Sequence, residues 1–144
     1  MNSITITQEF NTSLESIFEL LSKHATYNQV FAAIQVVRIK DSADPQRPDG
    51  VGSVRKMGLG PVKSIQEEIT VVEVNQRIEY KIIKNPLIKH HLGIIQFKAL
   101  SADKTQVIYT IELQARAPFV SKLILAQFKL AITLGFKKLA KTFV

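Results

Sequence analysis

Two oppositely charged residues stand in otherwise apolar stretches of the sequence and are the first candidates for chemistry. Arg55 lies in an alternating segment, and Glu67 stands between Ile65 and Ile69, with only the short connection 58–61 separating the two segments. A charge buried among apolar side chains is costly unless it is paired, so the guanidinium and the carboxylate are expected to meet across a hairpin. The pair fits three interpretations: a structural or surface salt bridge, a polar anchor for a ligand's carbonyl or carboxylate, or a catalytic acid and base.

Two tyrosines and one histidine extend this polar set. Tyr80 and Tyr109 combine an apolar ring with a hydroxyl that needs a partner if it is buried, which suits either a pocket floor or the core. His90 and His91 are adjacent, so alternation in a strand places only one of them on the inner face, and we expect that one to be His91. It is either a pocket residue that hydrogen-bonds a ligand, or a histidine whose ring nitrogens are solvated or hydrogen-bonded within the protein.

Signatures of several other chemistries are missing from the sequence. It contains no Gly-x-Ser-x-Gly elbow, Walker loop, HExxH or CxxC motif. The adjacent histidines cannot easily chelate one ion, and His24 is far from them in the chain, so no metal site is expected. We therefore predict no catalytic residue, no metal and no cofactor.

Alternation of apolar and polar residues predicts a sheet of about seven strands. The predicted strands cover residues 3–10, 33–40, 51–57, 62–74, 78–84, 91–100 and 106–115. The last five follow one another through short turns, which indicates an antiparallel meander. The polar members of each strand mark the solvent face, so Ile95, Phe97 and Ile111 are expected on the concave side with Tyr80 and Tyr109.

Two short helices are predicted after the first strand, and a long one at the end of the chain. Thr12 and Glu15 have the spacing of a capping box, with a helix running to near Lys23 and a second helix over 25–31. Pro118 suits the first turn of a final helix of more than 20 residues. The face expected to meet the sheet carries Val120, Ile124, Phe128, Ala131, Gly135 and Leu139.

The composition indicates one domain covering residues 1–144, with 46% hydrophobic residues to form its core. The chain has no cysteine, and its N-terminus does not have the pattern of a secretory signal, so we expect a cytoplasmic protein. Lysines interrupt the most apolar segment, so we expect no membrane span.

The net charge of +7 is concentrated at the C-terminal end. Of the 19 bases, six follow Glu112 in a segment without any acid, which leaves 13 bases against 12 acids elsewhere. RRM, KH and zinc-finger signatures are absent, so nucleic acid is not an expected partner. Leu123, Leu130 and Leu134 fall on one flank of the final helix beside Lys137 and Lys141. That flank is either a solvated face or a surface for transient contact with anionic membranes.

The order of these elements and several short motifs resemble the START and birch-pollen-allergen superfamily, or SRPBCC, and within it the bacterial polyketide cyclase/dehydrase-like members. The resemblance rests on 14–21 (LESIFELL), 50–55 (GVGSVR), 66–69 (QEEI), 77–82 (RIEYKI) and the C-terminal helix. It implies a helix-grip α+β fold, in which a curved antiparallel sheet wraps the long helix. It also implies a cavity between the two that holds lipids, sterols, polyketides or plant hormones.

The ligand-binding candidates are the residues expected on the walls of such a cavity: Arg55, Glu67, Tyr80, His91, Ile95, Phe97, Tyr109, Ile111, Ile124 and Phe128. The leading hypothesis is noncatalytic binding or carrying of an apolar or amphipathic small molecule. One alternative is a cyclase, aromatase or dehydratase using Arg55, Glu67, Tyr80 or His91 as acid and base. Another is a peripheral membrane lipid-transfer or interaction module acting through the terminal helix.

Overall fold

The computed structural model describes residues 2–31, 34–59 and 62–143. The elements in chain order are β1 (Asn2–Phe10), α1 (Leu14–Leu21), α2 (Thr26–Val30), β2 (Ile34–Lys40), β3 (Val54–Leu59), β4 (Val62–Glu73), β5 (Arg77–Ile83), β6 (Ile88–Ser101), β7 (Lys104–Ala115) and α3 (Pro118–Ala140), followed by a 3₁₀ turn (Lys141–Phe143).

The seven strands form one antiparallel sheet in the order β1-β7-β6-β5-β4-β3-β2. The first strand closes against the last, with Ile4 opposite Ile111, and the other strands follow as a meander. Helix α3 packs mainly on β1 and β7, whereas α1 contacts β6 and β7, and α2 contacts β2 and α3. The predicted helix-grip α+β fold is confirmed.

Side chains from the sheet and all three helices meet in one core. Phe10 of β1 packs edge-on against Phe136 of α3, with ring centroids 5.7 Å apart. Phe18 of α1 meets Phe97 of β6 in the same way at 5.1 Å. Edge-to-face pairs at these separations are favourable contacts, so α1 and α3 are both fixed against the sheet.

The side of α3 that meets the sheet differs in part from the predicted face. Gly135 and Leu139 are buried as expected, but the other fully packed positions are Ser121, Leu125, Ile132 and Phe136. The remaining predicted positions, Val120, Ile124, Phe128 and Ala131, are only half-buried. They are half-buried because they border open space between the helix and the sheet, as described below.

Several predicted boundaries were wrong for local reasons. Helix α1 is capped by Ser13, whose hydroxyl accepts the Ser16 N–H at 3.2 Å, and not by Thr12. It ends at Leu21 rather than near Lys23.

Two strands also begin elsewhere than predicted. Strand β3 begins at Val54 rather than residue 51, because Gly52 has φ +89° and Ser53 N–H donates to Gly50 O in a turn. Strand β6 begins at Ile88, ahead of the predicted His91. The predicted start of β2 at Ala33 lies outside the described residues.

Candidate functional site

A small cavity of about 80 Å³ lies between α3, α2 and the inner face of the sheet. Its lining residues are Tyr27, Phe31, Ile34, Arg55, Met57, Ile65, Glu67, Tyr80, Tyr109, Ile111, Gln127, Phe128, Ala131 and Ile132. We call it the inner cavity. Most of its wall is apolar, and its polar groups come from β3, β4, β5, β7, α2 and α3.

Arg55 and Glu67 form the buried ion pair that the sequence predicts. They are direct partners in the β3–β4 register, and Arg55 Nε donates to Glu67 Oε1 at 2.9 Å. The guanidinium carbon of Arg55 also lies 4.8 Å from the ring centroid of Tyr27 and 4.8 Å from that of Tyr80. Two cation–π contacts and a carboxylate therefore replace the water that the charge loses on burial.

The electrostatics of this pair follow from its burial. Desolvation is the largest influence and would lower the pKa of Arg55, but the Glu67 carboxylate, together with Tyr27, Tyr80 and Tyr109, outweighs it, so the pKa of Arg55 is raised. Burial raises the pKa of Glu67, and the Arg55 charge and hydrogen bond partly oppose that rise. The guanidinium keeps its charge and needs the carboxylate beside it, so the pair brings no net charge to the cavity.

The tyrosine hydroxyls supply the cavity's neutral hydrogen-bonding groups. Tyr80 and Tyr109 share a hydrogen bond between their hydroxyls, and Tyr27 Oη donates to Leu21 O at 2.8 Å. Burial is the largest cause that raises the pKa of Tyr80 and of Tyr109, so both phenols stay protonated. Their mutual bond uses one of two protons, which leaves one hydroxyl proton for another acceptor.

His91 lies behind this cluster rather than on the cavity wall. Its ring centroid is 5.4 Å from that of Tyr80, and its Nδ1 accepts the Ile82 N–H at 3.0 Å. Burial first, then the charges of His90 and Arg55, lower the pKa of His91 to about 3. His91 is therefore neutral with its proton on Nε2, and it supports the Tyr80 ring from behind.

A second, larger space of about 330 Å³ lies under the N-terminal half of α3, and we call it the outer cavity. Its lining residues are Ile65, Ile82, Asn85, Leu87, Ile88, Leu113, Ala115, Arg116, Ala117, Val120, Ile124, Gln127 and Phe128. It shares Ile65, Gln127 and Phe128 with the inner cavity. The two spaces are thus neighbouring compartments separated by these three side chains.

The structure brings most of the sequence-predicted candidates together. Arg55, Glu67, Tyr80, Tyr109, Ile111 and Phe128 line the inner cavity, and Ile124 and Phe128 line the outer one. Ile95 and Phe97 are buried in the core and line neither cavity.

Sequence reasoning missed other wall residues. Tyr27 and Phe31 were not among the candidates, because the sequence of a short helix does not show which of its aromatic side chains reach a cavity. Gln127 is exposed and borders both cavities, and its polar type gave no signal for a wall position.

A second polar cluster has the composition of a Ser-His-Asp triad. His24 Nε2 lies 3.4 Å from Ser53 Oγ, and His24 Nδ1 lies 3.7 Å from Asp49 Oδ1, which also accepts from Arg38. The Nδ1–carboxylate separation is too long for a hydrogen bond, and Ser53 is fully buried and lines neither cavity. The cluster therefore links the 41–50 loop to the segment between α1 and α2, and it offers no reachable nucleophile.

Among residues 2–31, 34–59 and 62–143, no three His, Asp or Glu side chains are grouped as a metal would require.

Solved structures of other proteins have a similar fold over nearly the whole of this chain. One solved structure, a START superfamily protein from Mycobacterium smegmatis, is 15% identical with a TM-score of 0.79, and 99% of each chain is covered. The Zhui aromatase/cyclase from Streptomyces sp. R1128 is 15% identical with a TM-score of 0.77, covering 97% of this chain and 93% of its own.

A third similar structure is a norcoclaurine synthase point mutant from Thalictrum flavum, at 15% identity and a TM-score of 0.75, covering 98% of this chain and 94% of its own. No curated protein matches the sequence significantly. The family described as polyketide cyclase/dehydrase and lipid transport matches residues 1–144. The chain therefore belongs to the polyketide cyclase/dehydrase and lipid transport family.

Proposed function

We propose that the protein binds and carries an elongated amphipathic molecule without transforming it. The observation that carries this proposal is the arrangement of two compartments, a small one holding the tyrosine hydroxyls and a larger apolar one next to it. A polar end seated in the inner cavity and an apolar remainder in the outer cavity would match both. Apolar burial supplies the affinity, at roughly 25 cal/mol per Å², and the hydroxyls fix the orientation.

The polar end of the ligand is expected to be uncharged. The Arg55 guanidinium is already neutralised by Glu67 at 2.9 Å, and a ligand carboxylate would lie close to that second carboxylate. The free hydroxyl proton of the Tyr80–Tyr109 pair instead suits a carbonyl, ether or hydroxyl oxygen. From the sequence, the ligand group held by this site could be either a carbonyl or a carboxylate. The charges around the inner cavity favour the uncharged carbonyl.

A competition experiment tests this function. An environment-sensitive apolar dye is expected to bind at one saturable site and to be displaced by a long-chain alcohol or methyl ester better than by the fatty acid or alkane of equal length. Tyr80→Phe/Tyr109→Phe keeps both rings and removes both hydroxyls, so it should weaken the oxygen-bearing ligands by about tenfold and leave the alkane unchanged. Val74→Ala, at an exposed position, is the control.

Two results would contradict the proposal. One is the absence of saturable dye binding, and the other is an equal loss for alkane and alcohol in Tyr80→Phe/Tyr109→Phe. Native mass spectrometry of the protein purified without added ligand would also identify a copurifying molecule directly.

A second candidate function is a cyclase, aromatase or dehydratase. It is favoured by the phenol proton and the guanidinium that converge on one cavity, since such donors stabilise an oxygen that gains negative charge in a reaction. The structural neighbours include aromatase/cyclases. Loss of water from a poly-β-ketone, followed by mass spectrometry and abolished in Tyr80→Phe/Tyr109→Phe, would establish this activity in place of carrying.

Transient contact with anionic membranes and a cytoplasmic location belong to the same proposal. Amphipathic ligands partition into bilayers, so their carrier must exchange them there. The segment Phe119–Phe143, which comprises nearly all of α3 and the following 3₁₀ turn, is long and apolar enough to cross a membrane by length and composition alone, with 28% of its most apolar window buried. We assign its apolar residues to the core on one side and to a surface on the other.

A further inference from the structure

Four large apolar side chains form an exposed stripe along α3. Phe119, Leu123, Leu130 and Leu134 are 78%, 62%, 62% and 57% exposed. At 100° per residue they fall within roughly 60° of arc, and they span about 22 Å of helix length. A continuous apolar stripe of this kind on an exposed helix marks an interaction surface. We call it the α3 stripe.

Only positive charges surround the α3 stripe on its own helix. Lys122 and Lys129 follow one side of the stripe, Lys138 follows the other, and Lys137 and Lys141 extend its C-terminal end, all of them exposed. No acidic residue follows Glu112 in the sequence. Apolar side chains flanked by lysines complement a bilayer that carries anionic headgroups.

The α3 stripe borders the opening of the outer cavity. The next positions around the helix are those of Gln127 and Val120, and both line that cavity. Leu87, which is 69% exposed, lines the same cavity from the β5–β6 turn, and its carbonyl accepts the Arg116 N–H at 3.0 Å. An apolar surface therefore continues from the stripe to the cavity rim.

We propose that the α3 stripe docks on an anionic bilayer and that ligand passes directly between the bilayer and the outer cavity. The transfer half rests on the carrier function proposed above, whereas the docking half stands without it. A second copy of the chain is a poorer occupant, because a two-fold contact through this stripe would bring two sets of lysines together.

Vesicle flotation tests the docking half. The protein should float with phosphatidylcholine vesicles that contain phosphatidylglycerol, at low salt only, and not with phosphatidylcholine alone. Leu123→Gln/Leu130→Gln and Lys137→Glu/Lys141→Glu should each weaken binding by about tenfold or more. Lys56→Glu/Lys98→Glu makes the same charge change at exposed sites on the sheet and should leave binding almost unchanged.

A transfer experiment tests the second half. Movement of a bound fluorescent long-chain alcohol to acceptor vesicles should speed up in proportion to the concentration of anionic vesicles, as expected for collision. A rate independent of vesicle concentration would show release through water and overturn direct transfer. Salt-insensitive binding, equal binding to both vesicle types, or a stable dimer that Leu123→Gln dissociates would overturn docking. Failure of the carrier function itself would appear separately, as loss of dye binding in vesicle-free solution.

Discussion

Gly93 of β6 provides the space in which the ring of Tyr80 lies. The two residues are direct partners in the β5–β6 register, and a Cβ atom added at Gly93 would overlap the Tyr80 ring. With no side chain below it, the ring lies across the neighbouring strand. From there Tyr80 contacts Arg55 and shares a hydrogen bond with Tyr109. One glycine thus helps to set the polar end of the cavity.

Gly93→Ala should displace Tyr80 and damage the site. Overpacking of a buried position costs about 1–3 kcal/mol of stability, and the free energy of unfolding in urea should fall by that amount. Dye and long-chain alcohol should also bind more weakly, because the hydroxyl no longer meets Tyr109.

The matched control is Gly58→Ala in β3, where an added Cβ meets nothing within 4 Å. Similar losses of stability and affinity in the two variants would show that the space under Tyr80 has no special role.

A double-mutant cycle on Arg55 and Glu67 should show strong coupling. Removing one partner leaves a buried charge without compensation, so Arg55→Leu and Glu67→Leu should each cost about 3–5 kcal/mol. The double variant leaves no charge behind and should be more stable than the sum of the single losses implies. Chemical denaturation gives the three values. Additive losses would mean that the ion pair observed at 2.9 Å contributes no coupling.

The sequence identified this ion pair because two simple constraints agree on it. A buried charge needs a partner, and a short connection between strands limits which residues are opposite each other. The same reasoning did not identify Tyr27, which approaches Arg55 from α2. Contacts of that kind depend on how a helix sits on a sheet, and strand alternation carries no information about it.

The orientation of α3 shows a second limit of pattern reading. Apolar residues occur on nearly every side of this helix, so its periodicity did not distinguish Leu125 and Phe136, which pack on the sheet, from Ile124 and Phe128, which border the cavities. Leu130 shares its flank with lysines and is exposed in the structure. The sequence alone did not decide between exposure of that flank and its coverage by the sheet or a second copy.

Substitutions at the start of α1 should show which of two adjacent residues, Thr12 or Ser13, caps the helix. Ser13→Ala removes the acceptor for the Ser16 N–H and should cost about 1 kcal/mol of stability. Thr12→Ala should change stability much less, because Thr12 accepts from Thr105 Oγ1 through its backbone carbonyl, which alanine keeps. Thermal unfolding of both variants makes the comparison. A larger loss at Thr12 would restore the capping box suggested by the sequence.

Phe128→Ala should join the two cavities. The Phe128 ring lines both, and its loss should widen the passage at a cost of about 1–3 kcal/mol, below that of a fully buried phenylalanine. Alcohols with a bulkier polar end should then displace the dye more effectively than they do in the wild type. Phe119→Ala is the control on the same helix, because Phe119 is exposed and lines neither cavity. Unchanged selectivity in Phe128→Ala would show that this side chain does not divide the space.

Acidification should destabilise the protein through His24 and His91. Burial is the largest cause that lowers the pKa of His24 to about 4 and of His91 to about 3, from an ordinary value of 6.5. Between these values and 6.5 the unfolded chain binds protons that the folded chain does not. The contribution of the two neutral histidines to the free energy of unfolding is therefore complete above pH 6.5. It is lost as the pH falls, by at most about 1.4 kcal/mol per pH unit for each histidine.

Urea unfolding at about pH 7 and about pH 5.5 measures this slope, in a range above the ordinary pKa values of Asp and Glu. His91→Asn keeps an acceptor for the Ile82 N–H and removes the titration, so its stability should depend less on pH than that of the wild type. His24→Gln should act in the same direction, and the two effects should add because the residues belong to separate clusters. A wild-type stability that stays constant over this range would mean that both rings accept protons in the folded state.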